Sequence, residues 1–366
     1  MEGDQGLTGI RAESRTLPVV TCAGTPEERG AQHGEALRDQ IAQGLGAWSE
    51  AIAERHGKDP NVYIGEFVRG TRFLDAIRQW TPELEGEIAG IAQGANQPWE
   101  WIYTYNLLDE EWNWARSVAV DGPGCTVVGV SRPGQPPLLA QTMDIPRVHD
   151  GTQAVLRVSD ESGLEVSVLI YAGMIGLTGC NSAGVALVVN NLDMLPGSLT
   201  GLPVSCVTRG ILKQRTLAEA TAFALRVPHA TGQHYGMASP DGEASVEGWA
   251  TGVAELEIGD TLVHTNHPLY TDEPVGDIED RYQWSRTRER LDYVAGEIDA
   301  CQEVGDLQRV LSDRSVPVSI EANGNSMTFG AVIYECSVPA RMWATPGPPH
   351  LHAFQEIMQE QVVSPV

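Results

Sequence analysis

The stretch "DGPGCTVVGV" (residues 121–130) decides how the rest of the chain is read. A Gly-Pro-Gly run stands directly before a cysteine, and the chain then enters a β-branched, strand-forming segment. Two readings fit these ten residues. In the plainer one, Cys125 is a core cysteine at a strand start, because free cysteine is among the most buried residue types. In the other, the Gly124–Cys125 peptide bond is built to break. Gly124 accepts strained backbone at little steric cost. The Cys125 thiol attacks the Gly124 carbonyl, an N-to-S acyl shift gives a thioester, and water releases the upstream chain. Cys125 then carries a free α-amino group, with an ordinary pKa of about 7.7–8.0, which can serve as base for its own thiol.

Either side of this point the sequence changes character. Upstream, "GTPEERGAQHGEALRDQIAQGLGAWSEAIAERHG" starts on Thr25 as N-cap, Pro26 at the first helical position and Glu28 completing a capping box. "TPELEGEIAGIAQGAN" repeats the Thr-Pro start and ends near Gly94 or Asn96, and "WEWIYTYNLLDEEWNWARS" reads as a third helix. Downstream, "CTVVGV" and "LLAQTMD" predict a hairpin, as do "AVLRVSD" with "EVSVLIYAG" and the two halves of "GLTGCNSAGVALVVNNL". "SCVTRGILKQRTLAEATAFALRV" is helical, with a second capping box between Thr216 and Glu219. Further hairpins are expected in "YGMASPDGEASVEGW" and, turning at Gly259-Asp260, in "ELEIGDTLVHTN". "RYQWSRTRERLDYVAGEI" is a helix, and "MTFGAVIYEC" and "ARMWAT" are strands. Hairpins with two helical blocks fit two sheets between helices, an α+β arrangement.

Composition sets the outer limits. The chain has 366 residues, 42% apolar and 20% charged, enough for a sizeable core. A net charge of −25 argues against a nucleic-acid surface, which needs clustered Lys and Arg. With Lys58 and Lys213 as the only lysines, Schiff-base chemistry has little to work with. Six scattered cysteines give neither a zinc signature nor a disulfide framework. His264 and His267, at i and i+3 without further ligands, do not make a metal site. No apolar run reaches a membrane span and no signal-peptide pattern is visible. The expectation is a cytoplasmic protein with reduced thiols, no cofactor, no metal, no membrane and no nucleic acid, with disorder confined to the first fifteen residues and the last few.

Several segments, in order, resemble one family. "GTPEERGAQHG", "EIAGIAQGAN", "GCT" (124–126), "AQTMD" (140–144), "GCNSAGVALVVNNL" (179–192), "HTNH" (264–267) and "WSRTRERL" (284–291) are similar to segments of the acyl-CoA:6-aminopenicillanate acyltransferase family, cysteine-type N-terminal-nucleophile (Ntn) hydrolases with self-cleaving precursors. The resemblance implies an αββα four-layer sandwich with two antiparallel-rich sheets. It also implies cleavage between Gly124 and Cys125 into segments 1–124 and 125–366, which stay associated as one compact domain. Cys125 corresponds to the nucleophile, Asp144 to an essential acid and Asn266 to the oxyanion-hole donor. Read alone, Asp144 is a turn residue before Pro146, and Asn266 a polar residue between strand and loop. Where a member of the family has a Ser-Arg pair before the corresponding strand, Asn325 stands near the arginine's position with Ser326 beside it, and Met143 takes the place of a tryptophan.

Amide chemistry follows from the resemblance: hydrolysis of a small N-acyl amine or amino acid amide, or transfer of its acyl group. The acidity of the chain favours hydrolysis over transfer from a polyphosphorylated CoA donor. A third reading is an unprocessed pseudoenzyme that binds a small molecule. In "NLLDEEWNW" (106–114), Asp109, Glu110 and Glu111 are placed to meet a cationic amine, with Trp112 or Trp114 stacking on it. The competing reading there is an ordinary helix with one apolar and one solvated face.

Overall fold

The structure is a computed structural model that describes residues 15–115, 124–270, 285–321 and 324–357. The tails, residues 121–123 of the opening stretch and the start of "RYQWSRTRERL" lie outside the described residues.

Helices dominate up to residue 115, each start fixed by local chemistry. α1 (Pro26–Ala36) begins with the predicted capping box: Thr25 accepts from the Glu28 N–H, and Glu28 accepts from the Thr25 N–H. Leu37 breaks the expected long helix, and α2 (Arg38–His56) follows. α3 (Pro60–Gly70) is capped by Asp59, and α4 (Phe73–Trp80) leads to α5 (Glu83–Ala95), which stops at Asn96 in the left-handed region. The aromatic segment is two helices, α6 (Trp99–Tyr105) and α7 (Leu108–Ala115), not one.

The glycines that interrupt the apolar pattern of α1 and α5 explain how these helices pack. A Cβ on Gly30 would lie 2.0 Å from the Glu87 carbonyl oxygen, and one on Gly90 would lie 2.2 Å from that of Glu27. The two helices therefore meet backbone to backbone.

A strand not expected from the sequence, β1 (Val19–Ala23), precedes α1 and runs parallel to β4. The other strands are β2 (Thr126–Val130), β3 (Leu138–Pro146), β4 (Gln153–Ser159), β5 (Glu165–Tyr171), β6 (Thr178–Asn181), β7 (Ala186–Asn191), β8 (Gln233–Ser239), β9 (Gly242–Trp249), β10 (Gly252–Leu256), β11 (Thr261–His264), β12 (Ser326–Glu335), β13 (Arg341–Ala344) and β14 (Gln355–Glu356). One sheet has the order β1-β4-β5-β6-β7-β8-β9-β10 and the other β11-β2-β3-β12-β13-β14. β2, β3 and β11 face β7, β8 and β9 across the interior. α8 (Val204–Leu212) and α9 (Leu217–Arg226) cover the outer face of the larger sheet, while α10 (Thr287–Glu297) and α11 (Val304–Leu311) cover the smaller one. This is an αββα four-layer sandwich.

Two local expectations need correction. Gly259-Asp260 does not close a hairpin: β10 pairs with β9 and β11 with β2, so the chain crosses from one sheet to the other there. Thr216 accepts from the Glu219 N–H, but Glu219 accepts from Arg215 instead of Thr216, so the box is half formed.

The period of β2 aims the site. Cys125 and Val127 belong to the core between the sheets, while Val128 and Val130 belong to the core beneath α10 and α11. The segment before Cys125 is tied into the same body, since β1 extends the larger sheet and α2 and α5 share the main core.

Candidate functional site

Cys125 sits at the mouth of β2 and is 9% exposed. Its Sγ accepts the backbone N–H of Asp144, from the neighbouring strand. Burial pushes the thiol up to about 12; the Asp144 charge adds to this, with Arg290 opposing and Asp109 reinforcing it. In the intact chain the sulfur is therefore a protonated thiol at neutral pH.

Gly124 precedes it with φ +84°, a left-handed conformation that favours glycine. The space beside it is filled by Asn266: a Cβ at Gly124 would meet Asn266 Oδ1 at 2.5 Å.

Asp144 lies on β3 opposite Thr328 of β12, and the Thr328 hydroxyl donates to Asp144 Oδ1 at 2.6 Å. A β-bulge between Thr328 and Gly330 adjoins this pair. Asp144 Oδ2 is buried with no hydrogen-bond partner among the described residues. Burial pushes the Asp144 carboxyl up to about 7, against the pull of Thr328, Arg290 and the Gly124 N–H. A carboxyl tuned to that range can take and return a proton at neutral pH.

Arg290, which no motif of the sequence singles out, stands at the centre of the site. It reaches in from α10, fully buried. Nη1 donates to the carbonyl oxygens of Cys125 (2.6 Å) and Gly124 (3.2 Å) and to Thr126 Oγ1 (3.0 Å), while Nη2 donates to Asn266 Oδ1 (3.0 Å). Burial brings it down to about 10, so it remains a cation at neutral pH. Its segment "WSRTRERL" was a visible signal; its contacts with β2 were not.

Asn266 follows β11. Its backbone N–H donates to Thr287 Oγ1, and its Nδ2 donates to the Asn191 carbonyl at 3.0 Å. That leaves one N–H of the amide for another acceptor. Asn190, next along β7, donates through Nδ2 to the Cys125 carbonyl at 3.2 Å. Asp109 accepts from Gln233 and from the Asn191 side chain, and its charge is felt at Cys125.

The remaining candidates are engaged elsewhere. Glu110 accepts from the Val204 N–H (2.9 Å) and Thr231 Oγ1 (3.2 Å), tying α7 to the start of α8, and burial pushes it up to about 8. Glu111 accepts from the Tyr63 hydroxyl beside His56 and Arg55. Trp112 is half-buried against the main core. None of the three hydrogen-bonds to Cys125, Asp144 or Asn266 among the described residues; Asp109 is the member of that acidic segment that borders the site. Asn325 is exposed, and its carbonyl accepts from the Arg147 N–H. Ser326 is buried opposite Pro146. The hydroxyl beside Asp144 belongs to Thr328, two residues further on.

His264 and His267 are held by protein groups: His264 pairs with Glu247 Oε1 (2.8 Å), and His267 with Thr287 Oγ1 (2.9 Å). All six cysteines are free and buried, and none of the described helices is long and apolar enough to cross a membrane.

This chain is 29% identical over 259 residues to the 40 kDa form of acyl-coenzyme A:6-aminopenicillanic-acid-acyltransferase from Emericella nidulans, covering 70% of each chain. Two solved structures resemble it weakly. Penicillin V acylase from Agrobacterium tumefaciens is 16% identical, with a TM-score of 0.38 over 61% of this chain and 82% of that one. A mutant conjugated bile acid hydrolase from Clostridium perfringens is 12% identical, with a TM-score of 0.38 over 64% and 97%. At those values neither supports a residue-by-residue correspondence. The family model described as acyl-coenzyme A:6-aminopenicillanic acid acyl-transferase matches residues 131–344. That match begins after Cys125 and contains Asp144, Asn266 and Arg290. It spans more than half of the chain, and the chain therefore belongs to the acyl-coenzyme A:6-aminopenicillanic acid acyl-transferase family.

Proposed function

We propose that this protein is a self-processing Ntn amidohydrolase that cleaves a small N-acyl amine or amino acid amide through an acyl-enzyme on Cys125. The observation that carries the reading is the enclosure of the Gly124–Cys125 bond by Arg290, Asp144 and Asn266.

Self-cleavage begins when Cys125 Sγ attacks the Gly124 carbonyl carbon. Negative charge develops on the Gly124 oxygen, 3.2 Å from the Arg290 guanidinium. Asp144 takes the thiol proton and returns it to the Cys125 nitrogen as the C–N bond breaks. The product is a Gly124–Sγ thioester, which water hydrolyses to a Gly124 carboxylate, a free thiol and a free α-amine. In the mature enzyme that amine accepts the thiol proton as Sγ attacks the substrate amide. The free N–H of Asn266 stabilises the oxyanion, and the amine leaves with the proton. The shared core and the β1–β4 pairing support continued association of segments 1–124 and 125–366.

Acyl transfer from a CoA thioester is the second reading, favoured by the names of the family and of its Emericella relative. The net charge of −25 opposes it.

Intact-mass measurement tests the reading. The wild type is expected as two pieces, residues 1–124 and 125–366, and Cys125→Ala as one chain without amidase turnover. A single wild-type mass, or turnover retained in Cys125→Ala, excludes it.

A further inference from the structure

We propose that His234 is a positioning residue for the nucleophile, acting through Asn190. The proposal rests on Cys125 being the self-cleaving nucleophile.

Asn190 of β7 and His234 of β8 are directly opposed in the sheet register. The protons on this pair follow from what each atom can do. The Cys125 carbonyl oxygen can only accept, so the Asn190 atom 3.2 Å away is the donor Nδ2. Oδ1 of the same amide therefore faces His234 Nδ1, at 2.7 Å, and requires a proton there. The neutral ring then presents its lone pair at Nε2, and the Ser245 hydroxyl donates to it at 2.9 Å. The tautomer is thus set by Asn190, and the Ser245 hydroxyl accommodates it.

The ring is also fixed in place. It is fully buried and stacks on His264, with centroids 3.7 Å apart and planes 4° from parallel. His264 is held by Glu247 Oε1 at 2.8 Å, and Glu247 also accepts the N–H groups of Leu269 and Tyr270. Burial and the neighbouring His264 keep His234 well below the usual histidine range, so it does not charge at working pH.

The effect at the site is geometric. The Cys125 carbonyl has two donors, Arg290 Nη1 and Asn190 Nδ2. Together they fix the peptide plane after Cys125 and so the place of its Cα, from which the Cys125 nitrogen and side chain extend. An unrestrained Asn190 amide can turn its oxygen toward the carbonyl, which repels it. Misplacing a reacting group by about 1 Å can cost roughly a hundredfold in rate.

The test measures the self-cleavage rate by intact mass in His234→Ala, His234→Asn, His234→Gln, Asn190→Ala and the His234→Ala/Asn190→Ala double variant. Asparagine carries an N–H near the place of imidazole Nδ1, and glutamine near that of Nε2. His234→Ala is expected to slow cleavage at least tenfold, and His234→Asn to be at least fivefold faster than His234→Gln. The double variant should be no slower than the slower single. A purely structural role predicts equal rates for Asn and Gln and multiplying losses in the double variant, and either result overturns the proposal. A cleaving wild type with unaffected His234 variants removes this inference alone. A wild type that never cleaves removes the nucleophile assignment and this inference with it.

Discussion

Arg290 Nη1 donates to the Cys125 carbonyl oxygen at 2.6 Å from a helix on the opposite face of the sheet. Three further bonds join the same guanidinium to the Gly124 carbonyl, Thr126 and Asn266. It therefore spans the bond proposed to break and the amide proposed to stabilise the substrate. A planar fork makes these contacts at once; a lysine ammonium can replace the charge but not the fork.

Arg290→Ala is expected to slow self-cleavage by about 10²–10³, the loss typical of removing one oxyanion donor. Arg290→Lys should recover only part of it. Time courses of fragment appearance by mass check this, and a lysine variant at wild-type rate would show that charge alone suffices.

Gly124→Ala is expected to impair cleavage without touching any reacting group. Alanine in the left-handed region costs about 1–2 kcal/mol, and its Cβ would press on Asn266 Oδ1 at 2.5 Å. Relief by moving either partner displaces the scissile carbonyl from Arg290. A tenfold or larger drop in cleavage rate is expected, and an unchanged rate would remove Gly124's conformation from the mechanism.

How far the sequence carried these conclusions depends on how local each feature is. The Thr25–Glu28 box is written in consecutive residues and is found as read. The alternating runs from Cys125 to Asn191 form strands because their period matches the pleat. The crossing at Gly259-Asp260 reads as a hairpin because a Gly-Asp turn looks the same whether the next strand pairs with its neighbour or with a distant one. β1 is not legible in its own residues because its partner β4 lies over a hundred residues away. At the site, Cys125, Asp144 and Asn266 stood in quotable motifs and are brought together. Arg290 and Thr328 gain their meaning only from the strands facing them. Glu110 and Glu111 read as a binding surface because acidic residues look solvated until their buried partners, Val204 and Tyr63, are known.

The pH dependence follows from Asp144. With an ordinary unfolded pKa of about 4 and a native value near 7, the native state binds more protons between those limits. Stability contributed at this site therefore falls as pH rises from about 4 to 7 and levels off above, by about 4 kcal/mol in all. Asp144→Asn removes the ionisation. In a Cys125→Ala background, which keeps the chain intact, the asparagine variant should gain stability relative to its parent at pH 8 but not at pH 4, by denaturant titration. Cleavage in the otherwise wild-type chain should rise as pH passes through about 7, where the carboxylate forms, and fail in Asp144→Asn. A cleavage rate flat across that window would exclude Asp144 as the base.

Away from the site, Glu87 gives the prediction that separates fold from chemistry. It lies on α5 between Arg209 of α8, at 2.5 and 3.0 Å, and Arg29 of α1, at 3.3 Å, all three side chains buried. Burial alone would raise its carboxyl, but Arg209, with help from Arg29, holds it below the usual range. A depressed native value adds stability above the unfolded pKa and loses it as pH falls. Glu87→Gln keeps the shape but removes the carboxylate that two buried guanidinium groups share, a change that typically costs about 3–5 kcal/mol. In the Cys125→Ala background the loss should be full at pH 7 and shrink as pH falls below the usual glutamate range, where the parent's own Glu87 protonates. Among the described residues Glu87 makes no hydrogen bond to Gly124, Cys125, Asp144 or Asn266, so folded Glu87→Gln with Cys125 present should cleave at the wild-type rate. Slowed cleavage at a temperature where the variant is fully folded would mean that the α1–α5–α8 junction sets the geometry of β2, contrary to the division drawn between scaffold and site.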